Sequence, residues 1–228
     1  MMFRHSSFVI RHFTMTYYDD KASDYITKVF VPQDKILEQI LEDIPKKGLP
    51  AIAIRAEEGR YLQFLTRSCG AKKAIEIGTL GGYSGTWIAR GLVDGGKLIT
   101  LEKESKHADV ARANFAKAGV ADRVEIKVGD AHDTLKTLTK DAPFDFIFID
   151  AEKTGYKNYF DWAVENVRVN GIIAAHNALR RGTIVDPSNN ETDTVATRAF
   201  NEYVAKHPRV ISTIFPGGDG TMIAVKIK

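Results

Sequence analysis

A doubly wound, Rossmann-like α/β fold with an N-terminal helical cap is the architecture this sequence predicts, and three observations carry it. Between residues 73 and 175 short apolar segments alternate with helical ones, which implies parallel strands side by side with helices on both faces. Runs such as Phe146-Ile147-Phe148-Ile149 are apolar without interruption, as suits strands covered on both sides. After residue 192 the pattern changes. One more helix precedes two strand-like segments joined by Pro216-Gly217-Gly218-Asp219-Gly220, an antiparallel hairpin. The count is five parallel strands closed by that hairpin.

From Gln33 to Ile44 the residues Ile36, Leu37, Ile40, Leu41 and Ile44 share one helical face, and Pro45, Gly48 and Pro50 then break the chain. A second helix over 56–68 buries Tyr61, Leu62 and Leu65. These two helices precede the first strand and read as a lid or a dimer-facing cap. Strands are expected at 73–77, 97–101, 123–128, 144–149 and 171–175. Helices are expected at 83–91, 105–118, 131–139 and 156–167, the second of them stopped by Gly119. A last helix over 192–206 leads into strands at 210–215 and 222–227. The expected organisation is an extension at 1–16 and a single domain over 17–228, comprising the cap (17–70) and the core (71–228).

The 228 residues are 44% hydrophobic and 27% charged, a globular mixture long enough to bury a core without disulfides. The single cysteine, Cys69, has no internal partner and reads as a small core residue. A net charge of +3, from 32 basic and 29 acidic residues well mixed, is too small and dispersed to point to nucleic acid. No apolar run has the length to cross a bilayer, and a cytoplasmic location is the default expectation. Met1 to Thr16 carries Arg4, His5, Arg11 and His12 and no acid. A disordered or docking extension, with Met15 as alternative initiator, is preferred there over a mitochondrial-type presequence.

In open α/β sheets ligands bind beyond the carboxyl ends of the strands, so the residues following each strand are the candidates. The first strand runs into Glu76-Ile77-Gly78-Thr79-Leu80-Gly81-Gly82-Tyr83-Ser84-Gly85. Its glycines permit a sharp turn, and the next helix offers free N–H groups. Leucine at position 80 breaks the Gly-x-Gly-x-x-Gly spacing of a dinucleotide site. Glu76 would repel a pyrophosphate and suits an amine, such as the amino-acid end of S-adenosylmethionine. Glu102 closes the second strand, where a carboxylate can hold ribose hydroxyls; a solvated surface acid is an equal alternative. Gly129-Asp130-Ala131 closes the third, facing an adenine amine or capping the next helix. Each signal is weak alone, and three in succession reinforce one another.

The fourth strand ends in Asp150-Ala151-Glu152-Lys153. A carboxylate at the mouth of an apolar strand calls for a cation. Lys153 supplies it as a plain ion pair, or Asp150 ligates a metal and Lys153 acts as general base. His176-Asn177 ends the fifth strand with an imidazole nitrogen and an amide oxygen, both metal donors, expected to face Asp150 across the reversal of strand order.

Residues 76–84 and 144–153, Asn177 with Leu179 and Gly182, and Gly218-Asp219-Gly220 together resemble the cation-dependent O-methyltransferases. That group includes the caffeoyl-CoA and catechol enzymes and their bacterial relatives, and the resemblance runs from about Lys28 to the C-terminus. It implies a seven-stranded sheet, S-adenosylmethionine as donor, a small phenolic or catechol acceptor and a homodimer. The donor set it implies is Glu76, Gly78, Thr79, Tyr83, Ser84, Glu102, Asp130, Ala131 and Asp150. The metal ligands map onto Asp150, His176 and Asn177, with Mg²⁺ as the family's ion, and Lys153 is the catalytic base beside Asp150 and His176.

One departure stands out: the family usually has aspartate where this chain has His176. A neutral imidazole removes a negative charge, weakens Mg²⁺ and favours Mn²⁺, Fe²⁺, Co²⁺ or Zn²⁺, or leaves His176 as a base with no metal. Glu152 stands where aspartate is frequent, and Arg180 and Arg181 replace the Trp and small residue of plant members, which favours an anionic acceptor. Three other readings compete. A nicotinamide-dependent oxidoreductase is opposed by the glycine spacing and the hairpin, and a tRNA-nucleoside O-methyltransferase by the balanced charge. A donor-binding scaffold with a disabled site is motivated by His176.

Overall fold

The apolar segments pair into one sheet of seven strands: β1 (Lys73–Ile77), β2 (Lys97–Glu102), β3 (Val124–Val128), β4 (Phe144–Ile149), β5 (Val167–Ala175), β6 (Val210–Phe215) and β7 (Thr221–Lys226). Their order is β3-β2-β1-β4-β5-β7-β6. The first five are parallel, and β7 pairs antiparallel with β5 and with β6. The structure is a computed structural model describing residues 18–228; the extension expected at 1–16 lies outside the described residues. Helices are α1 (Asp20–Phe30), α2 (Lys35–Lys46), α3 (Ala56–Ser68), α4 (Tyr83–Gly91), α5 (Ser105–Lys117), α6 (Ala131–Leu138), α7 (Tyr156–Asn166) and α8 (Thr192–Ala205).

Alternation along the strands divides the core into two layers. Ala74, Phe146, Phe148, Ile172 and Ala174 face Leu37, Ile40, Leu62, Trp87 and Phe115. Ile75, Ile147, Ile149 and Ile173 face Leu135, Phe160 and Phe200 on the other side. Helices α2 and α3 are therefore part of the packing on one sheet face.

Three elements differ from the expected ones. Helix α1 was not anticipated, although Ala22, Tyr25, Ile26, Val29 and Phe30 fall at helical spacing; only Ser23 on it is buried, and Tyr25, Val29 and Phe30 are exposed. Asp19 caps it, and Ser23 and Thr27 both donate to the Glu57 carboxylate on α3. Strand β5 starts at Val167 because α7 ends at Asn166 with no intervening loop. Pro45, expected to follow α2, is carried in its last turn.

The topology fixes where a ligand can sit. The chain steps outward through β1, β2 and β3 on one side and through β4 and β5 on the other, so the strand order reverses between β1 and β4. His176 follows β5 and lies on the same side of the reversal as Asp150, a correction to the expected arrangement. Gly78 is the residue that meets Asp150 across it. Its φ is +99°, and a Cβ there would land on the Asp150 carbonyl oxygen, so the crevice requires glycine.

Candidate active site

Strand order becomes a row of functional groups. The ends of β3, β2, β1, β4 and β5 carry Asp130, Glu102, Gly78, Asp150 and His176-Asn177 in that spatial sequence, and all line one cleft of about 1280 Å³. Single-ligand pockets commonly have roughly 300–1,000 Å³, so two small molecules fit side by side here.

On the β1–β3 side the carboxylates organise the Gly-rich loop. Glu102 accepts the Leu80 N–H (2.8 Å) and Thr79 N–H (3.3 Å) on one oxygen and the Glu104 N–H (2.9 Å) on the other. The Thr79 hydroxyl meets that of Thr100 at 2.6 Å. Glu76 lies under the cleft wall, fully buried, because its register partner is Thr100 on the adjacent strand. Its two oxygens accept the hydroxyls of Ser84 (2.5 Å) and Thr100 (2.6 Å). Burial pushes the Glu76 carboxyl up to about 8, against the two hydroxyl donors and with help from Asp150 and Glu102. Tyr83 is buried and, with Ser84, Gly78, Thr79 and Ala131, forms part of the wall. Asp130 caps α6 through the His132 N–H (2.8 Å), so its capping role holds, and its other oxygen has no partner among the described residues.

On the β4–β5 side charged groups crowd together. Asp150 Oδ1 is 3.2 Å from Lys153 Nζ, and its Oδ2 is 3.2 Å from His176 Nδ1. Burial acts to raise the Asp150 carboxyl, but His176 and Lys153 outweigh it and hold the group well below the usual carboxylate range. His176 Nε2 lies 2.9 Å from Oε1 of Glu58, a residue no motif singled out. Burial opposes a charged His176, yet Asp150 and Glu58 raise the imidazole to about 10. Asn177 donates to Asp219 Oδ2 at 2.8 Å, and Asp219 also accepts the Arg181 N–H. Asp219 thus pins a loop in which Asn177, Arg180 and Arg181 take φ of +57°, +46° and +53°.

No group of three or more His, Cys, Asp and Glu side chains forms a metal-type cluster among the described residues. The candidate donor set is mixed: Asp150, His176 and the amide of Asn177. Two features suit it to a divalent cation. Nδ1 and Oδ2 are 3.2 Å apart, close to the spacing of neighbouring ligands with bonds of about 2.1 Å to one ion. The Asn177 side-chain oxygen Oδ1 is left without a partner among the described residues while its Nδ2 is held by Asp219.

Fold and cleft define a Rossmann-like α/β protein with its ligand site at the switch point of the sheet. The O-methyltransferase family model matches residues 27–227. The chain is 38% identical over 197 residues to catechol O-methyltransferase of Niastella koreensis, covering 86% of this chain and 89% of that protein. It is 39% identical over 206 residues to catechol O-methyltransferase of Mycobacterium tuberculosis, covering 88% and 93%. Among solved structures, the O-methyltransferase of Bacillus cereus in complex with SAH superposes with a TM-score of 0.84 at 40% identity, over 90% of this chain and 97% of that one. The chain belongs to the O-methyltransferase family.

Proposed function

We infer that this O-methyltransferase moves the sulfonium methyl of S-adenosylmethionine to a hydroxyl of a small catechol-like or phenolic acceptor, with a divalent metal held by Asp150, His176 and Asn177. The observation that carries this reading is the single row of strand ends. Groups suited to an adenosyl donor occupy β1–β3, and a mixed cation donor set occupies β4–β5 directly across Gly78 and Asp150. A relative whose structure contains SAH and relatives named for catechol support both halves.

Donor binding falls to the loop at 78–84 and to Glu102 and Asp130. Glu102 already accepts the amides of Thr79 and Leu80, so its carboxylate holds the loop in place as well as facing the ribose position. The donor, when bound, supplies an electrophilic methyl on a cationic sulfur and needs little activation. The metal, when bound, supplies positive charge that lowers the pKa of an acceptor hydroxyl and directs its oxygen. Lys153, buried between Asp150 and Tyr156, is the residue to which we assign removal of the acceptor proton. The remaining work is positioning two ligands within one cleft. We take the protein to be a homodimer, as its family resemblance implies.

The test is methyl transfer to a panel of catechols and monophenols, before and after exhaustive chelation, with Mg²⁺, Mn²⁺ or Co²⁺ restored. Catechol methylation lost on chelation and regained with one of these ions is expected. Full activity in strong chelator would remove the metal from the reading, and no transfer to any acceptor would remove the acceptor class.

A further inference from the structure

His176 is not a simple substitute for a carboxylate, because its far nitrogen is already engaged. Its backbone is fixed by the N–H donated to the Ile149 carbonyl (3.0 Å), extending the β4–β5 ladder, and only 5% of the residue is exposed. The ring spans the gap between Asp150 on β4 and Glu58 in the first turn of α3, 118 residues away in sequence. Glu58 is itself immobilised. Its Oε2 accepts the Arg55 N–H at 2.9 Å, closing the start of α3, and the carboxylate occupies the space a Cβ on Gly218 would need. With 4% exposure and both oxygens committed, it cannot swing away.

We propose that Glu58 is a positioning residue of the metal site, holding the Nε2–H of His176 so that Nδ1 presents its lone pair beside Asp150 Oδ2. The inference rests on the metal-assisted reading above and goes beyond it by adding a residue outside the ligand set. A ligating histidine characteristically gives its other ring N–H to a carboxylate or carbonyl, which fixes the tautomer and raises the donor strength of the ligating nitrogen. Here the geometry has a second consequence. The negative charge that histidine at position 176 takes out of the ligand set is not lost from the site; it sits one ring further out, on Glu58. The site therefore combines a nitrogen donor, which Mn²⁺, Co²⁺ and Zn²⁺ accept, with two nearby carboxylates. It also ties α3 to the metal position, so that helix placement and ligand orientation depend on each other.

Wild-type protein loaded with Zn²⁺ alone, with ¹⁵N-labelled histidine, gives the first readout. Long-range ¹H–¹⁵N correlation is expected to show the proton on Nε2 and the metal on Nδ1 of His176. The reverse assignment overturns the proposal. The second readout is Mn²⁺ affinity, followed by the EPR signal of the free ion, in a double-mutant cycle. Glu58→Gln, which keeps shape but cannot accept from both Arg55 and His176, is expected to weaken Mn²⁺ by about 10- to 100-fold. With His176→Asp already in place there is no ring to orient, and the same change is expected to alter affinity by no more than about twofold. Equal loss in both backgrounds would mean that Glu58 acts only through the start of α3, and the proposal falls while the metal reading stands. A wild-type protein that takes up neither Zn²⁺ nor Mn²⁺ ends both. Should Glu58→Gln fail to fold, the spectrum of the wild-type protein still decides.

Discussion

Lys153 Nζ lies 2.5 Å from the phenol oxygen of Tyr156, and both side chains reach the same oxygen of Asp150. With the Ala151 carbonyl at 3.0 Å, the ammonium has three acceptors, one for each N–H. Burial first, and then Asp150, raise the Tyr156 phenol well above its ordinary value, so it stays protonated and cannot be the base. The arrangement describes Lys153 as an ion pair at rest. In the proposed reaction Lys153 is the base, and engagement of the Asp150 charge elsewhere is what would release it from this pair.

Lys153→Ala is therefore expected to lower kcat by about 10²- to 10⁴-fold, the range of general-base catalysis. Binding of S-adenosylhomocysteine, measured calorimetrically, should change little, because of the proposed donor contacts only Asp150 touches Lys153 and the rest lie on the loop at 78–84, Glu102 and Asp130–Ala131. Comparable losses in both quantities would assign Lys153 to structure.

Glu76 gives a prediction about pH and stability. Its carboxyl is raised from an ordinary 4.5 to about 8 in the folded protein, chiefly by burial. The folded state then holds a proton that the unfolded chain releases, so stability falls as pH rises from about 4.5 towards 8 and levels off above. Glu76→Gln removes this loss and leaves one acceptor for Ser84 or Thr100. The variant protein without donor is expected to melt higher than wild type at pH values above the Glu76 value. The gap should close as pH falls towards the ordinary carboxylate range. A gap independent of pH, followed by calorimetric melting, would locate the effect in packing instead.

Sequence carried the sheet well because each strand announces itself locally. The apolar run Phe146–Ile149 and the Gly-rich turn after Ile77 need no distant partner to be recognised. Helix α1 carries a local signal, Ala22, Tyr25, Ile26, Val29 and Phe30 at helical spacing, but its anchoring was hidden because it is polar: Ser23 and Thr27 on Glu57, and Asp20 on Arg55 at 2.8 Å. Glu58 was hidden for a related reason. Seen locally it is only an acid in the first turn of a helix, and its second partner, His176, arrives from the far end of the chain. Glu76 was legible as important but not in its position, since the register with Thr100 that buries it exists only once β1 and β2 pair.

Arg180 bears on acceptor choice. It lines the β4–β5 end of the cleft, its Nη2 is 3.2 Å from Asp193, and its Nε is buried with no hydrogen-bond partner among the described residues. The guanidinium lines the cleft and, among the described residues, only its Nη2 is paired, with Asp193, so an acidic group on the acceptor can pair with its cleft-facing edge. Wild-type kcat/KM is expected to favour 3,4-dihydroxybenzoate over its methyl ester by about tenfold, as for one charge-assisted hydrogen bond. Arg180→Met should bring the ratio towards unity. Equal use of acid and ester by the wild type would show that the guanidinium faces no part of the acceptor.

Metal uptake should depend on pH in a way set by His176. In the metal-free protein the imidazole is raised to about 10, burial being outweighed by Asp150 and Glu58, so near neutral pH both ring nitrogens carry protons. A cation must displace the one on Nδ1 before that nitrogen can ligate. Affinity for Mn²⁺ is then expected to rise about tenfold per pH unit through neutrality and to flatten as pH passes the folded-state value, with close to one proton released per ion bound. Asp150 adds no such dependence in this range, because its carboxyl is held well below ordinary values. Calorimetry in buffers of different ionisation enthalpy counts the proton directly. His176→Asp should abolish that release and shift preference towards Mg²⁺, which takes oxygen donors. A wild-type protein that binds Mn²⁺ with no proton released near neutral pH would mean that His176 is not a ligand.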